Sequence, residues 1–164
     1  MLKVGEQAPD FVSMTDTGTT VSLAGFRGKK VVLFFYPRDD TPGCTKEACS
    51  FRDQHQVILD QGAVVLGVST DGVDSHVKFK EKYHLPFPLI SDESRAIVTA
   101  YDVWKEKSLY GKTYMGTERT TFVLDEQGVI THVFPKVRVD GHVEEVLAAL
   151  SGAGGPGGRG TASG

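Results

Sequence analysis

The chemistry in this 164-residue chain begins with its two cysteines, Cys44 and Cys49. Two thiols cannot form a disulfide scaffold, and a chain of this length can bury a core without one. Thiols this close in a reducing compartment point to catalysis or metal binding. The five histidines are scattered (His55, His76, His84, His132, His142), and none stands at zinc-ligand spacing from a cysteine. Thiol nucleophilicity is therefore the chemistry to test. Thr41 suits a helix N-cap and Pro42 a first helical position, which puts Cys44 in the first turn. There the unpaired backbone N–H groups and the positive end of the helix dipole favour the thiolate, the reactive form. Gly43 lets a ligand approach the backbone closely. Cys49 lies five residues further on. On an ideal helix that interval rises about 7.5 Å and turns about 140°. The α-carbons are then roughly 8–9 Å apart, past the ~7 Å limit for a disulfide. The two can pair only if the first turns unwind, and Cys49 can equally be read as a packed helix cysteine.

The elements around this segment read as alternating strands and helices. Val31-Val32-Leu33-Phe34-Phe35-Tyr36 is a β-branched and aromatic run ending at Pro37, as in a strand buried on both faces. A helix is predicted from Pro42 to Gln61, a second buried strand over 62–69, a helix from Asp71 to Tyr83, a short strand over 87–90 and a helix from Asp92 to Tyr101. Residues 120–125 and 129–134 flank Glu126-Gln127-Gly128 as a hairpin, and Val139 to Leu150 carries apolar residues at helical spacing. Two extended pieces around Asp16-Thr17-Gly18 form an N-terminal hairpin. Early parallel strands and a late antiparallel hairpin indicate an α/β three-layer sandwich on a central mixed sheet. Sites in such sheets gather beyond the carboxyl ends of parallel strands, where Tyr36 to Cys49 lies.

Composition excludes several classes. Forty per cent apolar and 24% charged residues suit a globular chain, and a net charge of -3 carries no nucleic-acid footprint. The longest apolar stretch is too short to span a membrane, and the N-terminus resembles neither a signal nor a transit sequence, so a cytoplasmic protein is expected. The glycine-rich stretch 151–164 has no large apolar side chain and reads as a flexible tail beyond a domain over 1–150.

Pro37-x-x-x-Thr41-x-x-Cys44 resembles the active-site signature of the peroxiredoxins, thiol peroxidases on a thioredoxin-like fold. Thr41 to Cys49, with Phe51-Arg52-Asp53, is similar to the peroxiredoxin Q subfamily, also called bacterioferritin comigratory proteins. The likeness continues through Gly5 to Phe11, Gly67 to Asp71, Leu89 to Asp92, Tyr101 to Trp104, Gly111 to Tyr114 and Arg119 to Phe122, covering about residues 3–150. It implies that Cys44 is the peroxidatic cysteine and that Cys49 resolves its sulfenic acid to an intramolecular disulfide. It also implies that Thr41 and Arg119 bind peroxide oxygen, that Pro37 shields the pocket, and that backbone N–H groups near Gly43 add donors. Hydrogen peroxide and organic hydroperoxides are the implied substrates, thioredoxin or a similar dithiol the reductant, and a monomer the implied state. No metal, haem or flavin is implied. Glu47 is read as favouring the helix N-terminus rather than pairing with a base, and Trp104, Tyr110 and Tyr114 as packing residues. The alternatives are a thioredoxin-like dithiol oxidoreductase or redox sensor without fast peroxidase chemistry, and a binding module with incidental cysteines.

Overall fold

Alternation along one strand organises the molecule. In β3 (Lys30–Phe35), Val32 and Phe34 point to one face and Val31, Leu33 and Phe35 to the other, all buried. The computed structural model describes residues 2–152. Within them the further strands are β1 (Val12–Thr15), β2 (Thr20–Ser22), β4 (Ala63–Ser69), β5 (Leu89–Ser91), β6 (Trp104–Leu109), β7 (Lys112–Thr117), β8 (Thr120–Leu124) and β9 (Ile130–Phe134). The helices are α1 (Pro42–Asp53), α2 (His55–Asp60), α3 (Val73–Tyr83), α4 (Ala96–Ala100) and α5 (His142–Leu150), with a 3-10 turn at Leu23–Phe26.

Seven strands make one mixed sheet in the order β2-β1-β5-β4-β3-β8-β9, the mixed thioredoxin-like arrangement with its N-terminal hairpin β1–β2. β3, β4 and β5 run parallel, while β8 runs antiparallel beside β3. One face is covered by α1, α2, α3 and α5, with Phe34, Tyr36, Phe51, Ile58, Phe79 and Val146 in its core. The other packs Leu33, Phe35, Leu66 and Phe122 against α4, Tyr101 and Leu23 of the 3-10 turn. Gly67 marks a close approach in the sheet centre, where a Cβ would lie 3.0 Å from both Phe34 and Leu89.

The long helix expected over 42–61 is two helices, broken at Gln54, whose φ/ψ of -107/10 leaves the helical region. The helices predicted to open at Asp71, Asp92 and Val139 begin at Val73, Ala96 and His142. Residues 104–117, given no element by periodicity, form the two-stranded hairpin β6–β7, outside the main sheet. Its turn is Tyr110-Gly111, both at positive φ (52° and 77°), the geometry of a tight hairpin turn. Ser151 and Gly152 form a turn, and the rest of the expected tail lies outside the described residues.

Candidate active site

Sheet register explains how Cys44 and Arg119, 75 residues apart in the chain, come together. Phe35, the last residue of β3, pairs with Thr120, the first of β8. Arg119 therefore sits level with the loop leaving β3, and that loop leads into α1. The carbonyl of Arg119 is fixed by the N–H of Val137 at 2.9 Å. Its guanidinium folds over the start of α1: Nη2 donates to Cys44 Sγ at 3.3 Å, and Nη1 donates to Glu47 Oε1 at 2.7 Å. Gly43 makes this possible, because a Cβ there would stand 3.2 Å from Nη2. The space left by the missing side chain of Gly43 is thus used by the arginine.

Cys44 occupies the first turn of α1, behind Thr41 and Pro42, and is 1% exposed. Thr41 has the extended backbone of an N-cap, but its hydroxyl does not cap the helix and donates instead to the Arg38 carbonyl at 2.9 Å. Pro37 follows β3 and is half-buried beside this loop. Cys49 lies on the same unbroken helix, half-buried, and neither cysteine is in a disulfide. Burial pushes the Cys49 thiol above its ordinary range; Arg52 opposes this and Asp53 adds to it.

Glu47, read from the sequence as favouring the helix N-terminus rather than pairing with a base, is paired with Arg119. It stands on the same side of α1 as Cys44, one turn on, and is 1% exposed. Burial pushes its carboxyl up to about 7, against the opposing pull of Arg119. Burial likewise works against the charge on Arg119, but Glu47 and Cys44 outweigh it and hold the guanidinium above its ordinary range. The arginine is thus a fork with one prong anchored on a carboxylate and the other aimed at sulfur.

A third charged side chain enters from the hairpin. The stem of Lys107 on β6 lies over Gly116 of β7, where a Cβ would meet it at 3.3 Å. Burial and the Arg119 charge hold its amine below the ordinary range, with Cys44 pulling the other way. No spacing in the sequence marks Lys107. Trp104 packs under Arg95, whose guanidinium carbon is 5.2 Å from the ring centroid, whereas Tyr110 stands at the hairpin tip, 95% exposed.

Asp39, Asp71 and His76 bring potential metal-ligand atoms within 4.8 Å of one another. Both ring nitrogens of His76 and both oxygens of Asp39 are already engaged with protein partners, so this is a hydrogen-bond network.

A buried thiol facing a charged fork at the carboxyl end of a parallel strand is the geometry against which relatives can be compared. The AhpC/TSA family model matches residues 4–133. A putative peroxiredoxin bcp of Coxiella burnetii is 54% identical over 149 residues, covering 91% of this chain and 99% of that protein. The peroxiredoxin Bcp of Bacillus subtilis is 48% identical, covering 91% of this chain and 95% of that protein. This chain is a peroxiredoxin of the Bcp/peroxiredoxin Q subfamily. Solved structures agree. The bacterioferritin comigratory protein of Xanthomonas campestris, described for its alkyl peroxide reduction activity, superposes with a TM-score of 0.83 at 41% identity, over 87% of this chain and 91% of that one. A cysteine-to-serine mutant of the Xylella fastidiosa peroxiredoxin Q gives 0.88 at 34% identity, over 93% and 98%. A peroxiredoxin is a thiol peroxidase, and Cys44 and Cys49 are the two thiols this chain offers for that activity.

Proposed function

We propose that this peroxiredoxin reduces hydrogen peroxide and alkyl hydroperoxides at Cys44, with Cys49 as the resolving thiol and thioredoxin or a similar dithiol as reductant. The observation that carries the assignment of roles is the contact of Arg119 with Cys44 Sγ, braced by Glu47. In the reaction a sulfur lone pair attacks the nearer peroxide oxygen in line. The O–O bond breaks, and negative charge passes from sulfur to the departing oxygen, which leaves as water or alcohol after taking a proton. A fixed guanidinium beside the sulfur stabilises the oxyanion that develops as the O–O bond breaks. Thr41 spends its hydroxyl hydrogen on Arg38, which leaves its oxygen lone pairs to accept the peroxide O–H. Pro37 walls the approach against water.

Cys44 then carries a sulfenic acid. Cys49 attacks its sulfur, water leaves, and the Cys44–Cys49 disulfide forms. While α1 is intact the two thiols cannot meet. Unwinding does two things: it brings Cys49 within reach, and it lifts the burial that keeps its proton on. Two electrons from an external dithiol restore both thiols. We read the chain as a cytoplasmic protein acting as a monomer; no helix among the described residues is long and apolar enough to cross a membrane.

The test is whole-protein mass spectrometry after one equivalent of hydrogen peroxide or tert-butyl hydroperoxide. Wild type should lose two hydrogens and Cys44→Ser should not change. Cys49→Ser should gain one oxygen on Cys44 and fail to turn over with thioredoxin, thioredoxin reductase and NADPH. Normal turnover by Cys49→Ser would remove its resolving role, and an unchanged wild-type mass would remove the peroxidase assignment of Cys44.

A further inference from the structure

The loop between β3 and α1 is fastened to α3 at two adjacent residues. Asp40, held at a φ of 55°, accepts from Lys82 and from the Tyr83 hydroxyl at 2.8 and 2.7 Å. Asp39 accepts from the Tyr36 hydroxyl on one carboxyl oxygen at 2.6 Å. On the other it meets the Ser75 hydroxyl at 2.8 Å and His76 Nδ1 at 2.6 Å. Its own N–H donates to Asp71, which Ser69 also holds. His76 is 0% exposed, and its Nε2 lies 2.9 Å from the Ile90 carbonyl.

Counting hydrogens fixes the state of the ring. A carbonyl oxygen only accepts, so Nε2 carries a hydrogen. The Tyr36 phenol, pushed up by burial and by Asp39, keeps its proton and donates. The short bond to Nδ1 holds one further hydrogen, which the imidazole keeps because it is more basic than a carboxylate, so Asp39 accepts on both oxygens. Both nitrogens are donors, which only the imidazolium provides. The groups facing the ring from its surroundings are Asp39 of the loop, Asp71 after β4 and Tyr36 after β3. Burial disfavours the charge, but the bond to Asp39 and its carboxylate, the Ile90 carbonyl and Asp71 prevail, and the ring is held above its ordinary range.

We propose that His76, as a buried imidazolium, is a positioning residue for peroxide reduction: through Asp39 it fixes residues 37–41, which carry Pro37 and Thr41, while α1 beyond them is free to unwind. This rests on the function proposed above. The loop must keep one geometry through a cycle in which the next element melts, and a charge-assisted bond in a buried site is among the strongest hydrogen bonds a side chain can make. Misplacing reacting groups by about 1 Å can cost up to a hundredfold in rate.

Two substitutions separate the two ring nitrogens. His76→Asn offers an amide N–H near the position of Nδ1, toward Asp39. His76→Gln offers it near Nε2, toward Ile90, and abandons Asp39. The rate of Cys44 oxidation by hydrogen peroxide in a single turnover should fall about ten- to a hundredfold in His76→Gln and by less than about threefold in His76→Asn. In ¹⁵N-labelled wild type, His76 should keep both ring nitrogens protonated to a higher pH than a histidine in an unstructured peptide. As pH rises, the wild-type oxidation rate should decline where that signal titrates, and His76→Asn should lack the decline. A His76 ring that titrates no higher than a histidine in an unstructured peptide overturns the proposal whether or not a variant folds, as does an equal loss in both variants or a ring titration without a change in rate. Wild type that never oxidises at Cys44 would instead refute the peroxidase reading on which the proposal stands.

Discussion

Arg119→Leu removes the cation from Cys44 and leaves Glu47 without its partner. Two unit charges 3.3 Å apart interact by roughly 5 kcal/mol at an effective dielectric of about 20. The Glu47 carboxylate on the other prong, at 2.7 Å, offsets part of this. What remains is close to the worth of one charge-assisted hydrogen bond, about 1.5–3 kcal/mol, or of one oxyanion donor, about 2.7–4 kcal/mol. The second-order rate of Cys44 oxidation should therefore drop about 10²–10³-fold, measured by rapid quenching and alkylation of the remaining thiol. Arg119→Lys should fall between, because an ammonium cannot bridge sulfur and carboxylate with a planar fork. The stability cost should depend on pH. Breaking a buried pair costs about 3–5 kcal/mol when the abandoned charge persists, but below pH 7 Glu47 escapes by taking a proton. Urea unfolding should show a small loss at pH 6 and a larger one at pH 8. A rate within fivefold of wild type, with Cys44 still the oxidised residue, would refute the role of the guanidinium.

Glu47→Gln isolates the carboxylate. The folded-state value of about 7 exceeds the ordinary 4.5, so the contribution of Glu47 to stability is fully present below pH 4.5 and lost as pH rises through 7. At 1.36 kcal/mol per unit that is about 3 kcal/mol, and above pH 7 the glutamine variant should be the more stable protein by up to that amount, with no difference in slope below pH 4. Matching unfolding curves from pH 5 to 8 would contradict it. Gly43→Ala puts a methyl 3.2 Å from Arg119 Nη2, so the guanidinium must shift by a few tenths of an ångström. Oxidation of Cys44 should slow several-fold with thermal stability within about 1 kcal/mol of wild type, since the residue is exposed; an unchanged rate would mean the fork tolerates displacement.

Much of the architecture is readable from local chemistry. Val31 to Phe35 of β3 and Ala63 to Val68 of β4 are continuous apolar runs rich in valine, and Thr41-Pro42 marks the start of α1. What local pattern does not carry is long-range charge pairing. Glu47 looks like any acidic residue near a helix N-terminus until register brings Arg119 over it, and its one-turn spacing from Cys44 is the only hint. Lys107 arrives on a hairpin whose strands are polar and largely exposed, so no apolar periodicity announces them. The break at Gln54 is equally silent, because neither glycine nor proline stands there. Asp39 and His76 lie 37 residues apart, and their meeting is a product of β3–β4 pairing and the return of α3.

Three buried side-chain atoms find no hydrogen-bond partner within the protein among the described residues: Thr45 Oγ1, Glu47 Oε2 and Thr117 Oγ1. The first two belong to the opening turns of α1, and the third ends the strand that leads to Arg119. An unmet buried polar atom costs about 1–3 kcal/mol, a debit that vanishes when hydration returns. On the proposed cycle, the helix that melts at each turnover already carries two of these three unmet atoms, which lowers the barrier to its own dissolution. Hardening it against heat by giving those atoms partners would trade away speed of recycling, so thermal tolerance and throughput pull against each other in one stretch of chain.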